Sequence, residues 1–244
     1  MINRLAKRLR HLGLQTFSEY VEYLKEGNHR DQEFIELIDA ITTNKTDFFR
    51  EPKHFSFLEE EILPKIVKQR TQVDRKVRIW SAACSSGEEP YSISICLNEQ
   101  FIRYPGWTFE ILASDISETI LRQAVTGIYD ESKVAPIPLP LLRKYFLRGN
   151  QRYKIKPETG RNISFKKINL KMDFQRMLSN FDVIFCRNVL IYFNRETQFD
   201  IIKKCWQVLR PGGYLFLGHS ETLQGMETNF TYILPAIYQK GMNN

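Results

Sequence analysis

Short apolar runs alternate with amphipathic segments over most of the chain, and the clearest run lies in its last third. Phe181 to Cys186 is rich in Phe, Val and Ile, which is typical of a strand buried on both faces of a sheet. The run ends at the polar pair Arg187 and Asn188. Polar groups at the carboxyl end of a buried strand lie where open α/β sheets bind ligands. The pair therefore predicts a ligand site; the alternative is an ordinary α/β unit in which it only caps the strand.

The alternation of strand and helix extends to both sides of this run. Residues 195–209 carry apolar side chains at helical spacing, and the sequence Pro211-Gly212-Gly213 then predicts a turn before a further apolar strand. Nearer the amino end, the pattern predicts strands at 77–83 and 109–114 and helices at 52–69, 89–101 and 117–125. This order predicts a doubly wound, mostly parallel α/β sheet with right-handed crossovers.

Residues 127–170 interrupt the alternation. They are rich in Pro and Gly, and their alternating segments at 153–156 and 162–166 predict a small antiparallel hairpin inserted between core elements. The alternative is a solvated charged loop. Taken alone, the excess of basic residues favours that alternative, because Glu158 is the only acid between Arg143 and Lys171.

The first 41 residues predict a small helical module. In the first helix, apolar residues recur at helical spacing and basic residues lie on the opposite side: Ile2, Leu5, Leu9 and Leu12 against Arg4, Lys7, Arg8 and His11. Two more helices are predicted at Phe17–Lys25, closed by Gly27 and Asn28, and at 31–41. Residues 42–51 then link this module to the rest of the chain.

Composition narrows the class of protein. The 244 residues suffice for one large α/β domain with a small appendage, and a net charge of +7 with a pI near 9.2 indicates an acidic partner. The four cysteines (Cys84, Cys96, Cys186 and Cys205) show no metal-ligand spacing, so we expect reduced core thiols of a cytosolic protein and no metal. No apolar run approaches the roughly 20 residues of a membrane span, so no membrane insertion is expected.

Asp115 is a better candidate for binding a nucleotide than the loop that contains Gly87. The loop after the first predicted core strand supplies only Gly87, which is a poor match to a dinucleotide fingerprint. Asp115, at the end of the second, fits an acid that accepts both hydroxyls of a ribose. The alternative is that Asp115 only caps the helix that follows, and the residues alone do not decide between the two.

Five segments in this order are far more specific than any one of them. They are TTNKTDFFREP, WSAACSSGEEPYSI, ASDIS, FCRNVLIYF and LRPGGYLFLGHSE, and together they resemble the CheR family of chemotaxis receptor glutamate methyltransferases. The resemblance covers nearly the whole chain. It implies a fold of the S-adenosylmethionine-dependent methyltransferase type, with a helical domain at 1–41, a linker at 42–51 and a catalytic domain at 52–244 that carries a β-subdomain insertion at about 148–168.

The resemblance also implies the site residues. The cofactor S-adenosylmethionine is expected to bind the linker and the strand ends through Asn44, Thr46, Arg50, Glu89, Asp115, Asn169, Leu170, Arg187 and Asn188. Arg50 and Tyr238 are the candidates beside the substrate, and Arg50 faces either the cofactor's carboxylate or that of the substrate. Tyr238 has an equally good alternative as a core strand residue whose hydroxyl bonds backbone. No general base is needed, because a glutamate of pKa near 4.3 is already ionised at neutral pH.

Partners follow from the same resemblance. The basic face of the first helix (Arg4, Lys7, Arg8 and Arg10) matches the acidic helical bundle of chemoreceptor cytoplasmic domains, with generic solvation as the alternative. The helices before the linker are shorter than the family's usual domain, so a leading helix is expected to be missing. The insertion is short as well, so no tether to a receptor's C-terminal pentapeptide is expected. A monomer is expected.

Two other functions compete with receptor methylation. A basic methyltransferase can act on nucleic acid, but CRNVLIYF lacks the Pro-Pro-aromatic motif of many base-amine methyltransferases, and the chain has no aromatic-rich basic face. We therefore expect no nucleic-acid partner. A non-catalytic regulator that binds S-adenosylmethionine with the same fold remains the alternative function.

Overall fold

A computed structural model describes residues 2–25, 30–42, 44–70 and 74–242. The helices are α1 Ile2–Leu12, α2 Phe17–Lys25, α3 Arg30–Ile41, α4 Pro52–Phe57, α5 Leu63–Gln69, α6 Glu88–Phe101, α7 Glu118–Thr126, α8 Glu131–Val134, α9 Leu139–Tyr145, α10 Pro157–Gly160 and α11 Arg195–Val208. The strands are β1 Lys76–Ala82, β2 Thr108–Asp115, β3 Ile128–Asp130, β4 Phe146–Arg148, β5 Arg152–Ile155, β6 Ile163–Lys167, β7 Phe181–Cys186, β8 Leu209–Phe216, β9 Phe230–Leu234 and β10 Ile237–Lys240.

Seven strands form one sheet in the order β6-β2-β1-β7-β8-β10-β9. The first five in this order run parallel, and β10 and β9 close the far edge as antiparallel strands. The predicted doubly wound, mostly parallel sheet is confirmed. Because parallel strands end at the same edge of a sheet, the polar residues after β1, β2 and β7 lie together.

Alternate residues of the central strands supply two hydrophobic cores. Ile79, Val183 and Phe185 face one side of the sheet, where α4 and α6 pack. Trp80 and Ile184 face the other side, against α11. All five side chains are fully buried. This period of two explains why an uninterrupted apolar run is the sequence pattern of a strand covered on both faces.

The predicted helix at 52–69 is continuous but contains a π turn. Leu58–Ile62 is π-helical, and the amide of Leu63 donates to the carbonyl of Leu58. Pro64 has no amide hydrogen, and its ring would collide with the carbonyl four residues earlier in a regular α-helix. The wider turn just before Pro64 removes that collision.

The predicted hairpin in the inserted region is wrong in its pairing. β5, the first of its two segments, pairs antiparallel with β3 and β4 in a separate three-stranded sheet. β6, the second segment, joins the main sheet and runs parallel to β2. The strands of the small sheet thus lie within 128–155, and the alternating pattern at 162–166 belongs to an edge strand. The predicted turn at Pro211-Gly212-Gly213 also lies within β8, where the register against β7 shifts.

The amino-terminal helices form a module with its own ion pairs. Leu9 and Tyr20 are buried. Arg8, predicted on the outer basic face, instead binds the buried Glu33 through two hydrogen bonds of 2.9 and 2.6 Å and lies 3.4 Å from Glu36. Gly27 and Asn28, predicted to close α2, lie outside the described residues, as does the side chain of Ile2.

No helix among the described residues is long and apolar enough to cross a membrane. All four cysteines are buried and free of disulfides, as predicted.

Candidate functional site

A cavity of about 300 Å³ opens at the carboxyl ends of β1, β2 and β7. The linker after α3 and the loop after β7 both contribute residues to its wall. All nine residues predicted to bind the cofactor line this cavity: Asn44, Thr46, Arg50, Glu89, Asp115, Asn169, Leu170, Arg187 and Asn188. The fold therefore brings together residues that are dispersed over most of the sequence.

The linker is anchored to the small sheet. Phe48 is 2% exposed and packs edge-on against Tyr129 and Phe146, with ring centroids 4.8 and 5.5 Å away. Lys133 donates to the carbonyl of Thr46 at 2.6 Å. These contacts hold the linker over the cavity, so the small sheet supports the site as well as lying beside it.

Asp115 fastens two loops at the cavity floor. Its Oδ2 accepts the amide of Ser85 at 2.9 Å, and its Oδ1 accepts the amide of Ser117 at 3.0 Å. The cap of α7 is Ser117 itself, whose hydroxyl accepts the amide of Ile120 at 3.1 Å. The alternative interpretation, in which Asp115 caps α7, is therefore wrong. Burial raises the pKa of Asp115, although the backbone amides oppose that effect.

Arg187 is held between two acids. Its Nη2 lies 3.0 Å from Oε2 of Glu51, its Nη1 lies 3.2 Å from Oε2 of Glu89, and it also donates to the carbonyl of Arg50. The hydroxyl of Ser81 donates to the other oxygen of Glu89 at 2.6 Å. Burial raises the pKa of Glu89 in spite of Arg187. One guanidinium thus serves two carboxylates, and a cation in the cavity would find unbalanced negative charge at Glu89.

Arg50 keeps its charge available. Its Nη1 donates to the carbonyl of Lys45 at 3.1 Å, which fixes the side chain against the linker. Within the part of the chain that the structure describes, Arg50 forms no ion pair with a carboxylate. An anionic group that enters the cavity would therefore meet an uncompensated guanidinium.

Tyr238 does not line the cavity. It is 6% exposed in β10, and its hydroxyl accepts the amide of Leu223 at 3.1 Å and lies 3.3 Å from the hydroxyl of Thr222. Tyr238 therefore occupies the position expected from the alternative interpretation, in which it is a core strand residue whose hydroxyl bonds backbone.

The sequence did not single out Glu51 and His54, which lie behind the wall of the cavity. The positive φ of Glu51, 60°, starts α4 and turns its carboxylate toward Arg187. His54 is 1% exposed, and burial, followed by the charge of Arg187, lowers its pKa to about 4. The sequence feature that could have identified Glu51 as a site residue is its position next to Arg50 in the linker motif.

These two residues and His219 form one cluster of potential metal ligands among the described residues. Their ligand atoms lie within 4.8 Å of one another. Arg187 already approaches the same oxygen of Glu51 that a metal ion would use. A further cation there would be repelled, so the cluster is a poor site for a metal.

Comparisons with known proteins agree with this geometry. Residues 44–237 match the model of the CheR methyltransferase S-adenosylmethionine-binding domain, and residues 1–42 match that of the CheR all-alpha domain. A chemotaxis protein methyltransferase of Borreliella burgdorferi is 41% identical over 98% of this chain and 84% of its own length. Those of Salmonella typhimurium and Escherichia coli are 38% and 37% identical, each over 97% of this chain and 80% of their own length.

Both matched domains, together with a mostly parallel sheet whose strand ends open into the cavity, lead to one conclusion. The chain belongs to the CheR methyltransferase family and carries its S-adenosylmethionine-binding domain.

Proposed function

We propose that this protein transfers the methyl group of S-adenosylmethionine to glutamate side chains of chemoreceptors, giving glutamate methyl esters. The observation that carries the proposal is the single cavity that collects all nine predicted cofactor residues, Arg50 among them. Relatives named chemotaxis protein methyltransferases support the chemotaxis context.

The residues of the cavity fit the cofactor. Its ammonium group suits Glu89, whose buried carboxylate is only partly balanced by Arg187. Its ribose hydroxyls suit Asp115, which retains acceptor capacity beyond the two amides it binds. The apolar side chains beside Asp115, from Ile116, Ile168 and Leu170, suit the adenine ring. When bound, S-adenosylmethionine supplies a methyl group activated by a positively charged sulfur.

The protein's own residues need only orient the acceptor. A glutamate carboxylate is ionised at neutral pH, and no histidine lines the cavity among the described residues. A bond from an acceptor oxygen to the methyl carbon would form as the carbon–sulfur bond of the bound cofactor breaks, so none of this chain's residues would need to move a proton. Catalysis then rests on near-attack alignment at roughly 3 to 3.5 Å in a water-poor cavity.

Arg50 is the residue we propose to orient a carboxylate. Its contact with the carbonyl of Lys45 holds it at the rim without a bidentate acid partner. Attack cancels charge between the carboxylate and the sulfonium, so a tight ion pair would stabilise the ground state more than the transition state. One guanidinium held by a single backbone carbonyl fits this requirement better than a bidentate clamp on the acid.

A labelled-methyl assay with receptor cytoplasmic fragments tests the proposal. We expect label in the receptor that is released by mild alkali, as a carboxyl ester must be. Calorimetric titration with S-adenosylmethionine runs in parallel. Binding without any alkali-labile label would favour the non-catalytic regulator, and absence of binding would refute both functions.

The receptor would approach the carboxyl end of the sheet. Asp39 of α3 contacts Ser117 after β2, so the helical module lies on that side. Its available basic residues are fewer than predicted, because Arg8 pairs with Glu33 and Arg4 donates to the carbonyl of Thr42. Lys7 and Arg10 are exposed, and we propose them as the charges that meet an acidic helical bundle.

We also propose that methylation needs no tether to a receptor's terminal pentapeptide. Strand addition requires an exposed edge of useful length. Both edge strands of the small sheet, β3 and β4, have only three residues. Removal of the terminal residues of a receptor should leave its methylation rate unchanged, and a large loss of rate would contradict this.

A further inference from the structure

The loop after β7 forms one wall of the cavity and has an unusual backbone. Asn188 has a φ of 57°, which is uncommon for a residue with a side chain. A 3₁₀ turn at Leu190–Tyr192 follows directly. Asn188, Val189, Tyr192 and Phe193 all line the cavity. Something must hold this loop in a conformation that it would not favour alone.

The carboxylate of Glu221 holds the loop. It lies in the loop after β8, is 6% exposed and accepts four backbone amides. Its Oε2 binds the amides of Asn188 at 2.8 Å and Gly218 at 2.6 Å, and its Oε1 binds those of Leu190 at 2.7 Å and Ile191 at 3.2 Å. Hydrogen bonds from amides to a carboxylate are about twice as strong as neutral ones.

Glu221 forms no ion pair within the described residues. Its charge is therefore balanced by oriented amide dipoles, three of which belong to the loop after β7. Such an arrangement is specific to one backbone conformation, because any change in φ or ψ at 188–191 turns an amide away from the carboxylate.

Gly218 completes the arrangement. A Cβ at this position would lie 2.2 Å from Nδ2 and 2.8 Å from the backbone nitrogen of Asn188. The absence of a side chain at Gly218 thus lets Asn188 reach its position against β8. Two residues outside the cavity lining, Gly218 and Glu221, define where Asn188 lies.

We propose that Glu221 is a positioning residue for cofactor binding: it fixes the loop that presents Asn188 and Tyr192 to the cavity. The inference rests on the proposed use of this cavity by S-adenosylmethionine. It assigns Glu221 no contact with the cofactor, and its effect passes through the backbone of residues 188–191.

The test compares Glu221→Gln with a matched control, Asp182→Asn, near the amino end of β7, the strand whose carboxyl end leads into the loop. Asp182 is also a buried carboxylate, 3% exposed, and also accepts a backbone amide, that of Arg78 at 2.7 Å. We expect both substitutions to lower the melting temperature. Only Glu221→Gln should weaken S-adenosylmethionine binding, by at least tenfold in calorimetry well below the melting temperature, because its amide group places a donor against backbone donors.

Two more variants keep the outcome clear. Gly218→Ala displaces Asn188 without changing Glu221 and should also weaken binding at least tenfold, and it replaces Glu221→Gln if that variant fails to fold. Glu221→Asp keeps the charge and should bind better than Glu221→Gln. Affinity within twofold of wild type in Glu221→Gln or Gly218→Ala, or an equal loss in Asp182→Asn, would overturn the inference. Failure of the wild-type protein to bind would instead refute the proposed function, and the inference with it.

Discussion

The two ends of β7 each carry a buried charge network, and the network at the carboxyl end adjoins the cavity. At the amino end, Asp182 pairs with Arg70, lies 3.7 Å from Arg210 and accepts the amide of Arg78. At the carboxyl end, Arg187 is shared by two acids. At the amino end two arginines approach one buried carboxylate, whereas at the carboxyl end two carboxylates share one guanidinium.

This difference separates a structural network from one that can bind a ligand. At the amino end, every charge has its partner within the protein, and the arrangement only ties β7 to its neighbours. At the carboxyl end, Glu89 shares its cation, and Asp115 has only amide partners. The positive φ of Ala83 and Ser85 adds strained backbone at the same cavity, which is typical of functional sites.

The largest effect is expected when the central cation of each charge network is removed. Arg187→Met leaves Glu51 and Glu89 without the arginine they share, and Arg70→Met removes from Asp182 the nearer of its two arginines. Breaking a buried pair from one side typically costs about 3 to 5 kcal/mol, so we expect both variants to lose about that much unfolding free energy. Chemical denaturation measures it. Only Arg187→Met should also lose S-adenosylmethionine affinity, and an equal loss in Arg70→Met would show that the two ends are not functionally distinct.

Acid should weaken the carboxyl end first. The pKa of His54 is lowered to about 4, by burial and then by Arg187, from an ordinary value of 6.5. Below pH 6.5 the unfolded chain therefore gains a proton that the folded chain does not. Each unit of pH below that value lowers the unfolding free energy by about 1.4 kcal/mol, so we expect a loss of about 2 kcal/mol between pH 7 and pH 5.

The amino end should contribute nothing over the same range. Burial raises the pKa of Asp74, but the hydrogen bond to Arg210 together with the charges of Arg210, Arg70 and Arg78 lowers it by more, so the net pKa is lowered. It therefore stays charged well below pH 5. Denaturation curves of wild type and His54→Gln at pH 7, 6 and 5 check this prediction, since His54→Gln should abolish most of the slope. A slope that survives the substitution would place the titrating group elsewhere.

Substitution of Asp115 should have a smaller effect, which is limited to the affinity for the cofactor. Asp115→Ala should weaken S-adenosylmethionine binding at least tenfold, because charge-assisted hydrogen bonds to the ribose hydroxyls are worth about 1.5 to 3 kcal/mol. Asp182→Ala is the matched control at the amino end and should leave the affinity unchanged. If Asp115→Ala stays folded and binds within twofold of wild type, Asp115 serves only to fasten the loops at Ser85 and Ser117.

The sequence predicted the composition of the cavity better than its electrostatics. The resemblance carried by the five motifs implied nine cofactor residues, and all nine line the cavity. The pairing of Arg187 with Glu51 was not predictable, since no local pattern shows which residues distant in sequence meet. Helical spacing likewise placed Arg8 opposite the apolar stripe but did not reveal that α3 packs there and supplies Glu33.

The inserted region shows a second limit. A period of two predicts that a segment is a strand but does not identify its partner. Residues 162–166 fit a hairpin with β5 as well as they fit the edge of the main sheet. The parallel pairing of β6 with β2 satisfies the amides at that edge, and it places Ile163 and Phe165 against the core beside Leu121.

The smallest effect concerns the receptor and again compares the two ends. The helical module lies on the carboxyl side of the sheet, and Lys7 and Arg10 of α1 are among its exposed charged residues. Lys68, near the end of α5, and Arg103, just after α6, are exposed and precede the amino ends of β1 and β2. Reversal of either pair to Glu changes the net charge of the protein equally.

We expect Lys7→Glu with Arg10→Glu to lower kcat/KM for a receptor fragment about threefold at low salt, where surface attraction is least screened, and to leave S-adenosylmethionine binding unchanged. Lys68→Glu with Arg103→Glu should leave both unchanged. Equal losses in the two variants would mean that the receptor responds only to net charge, and no loss in the first would exclude α1 as its docking surface.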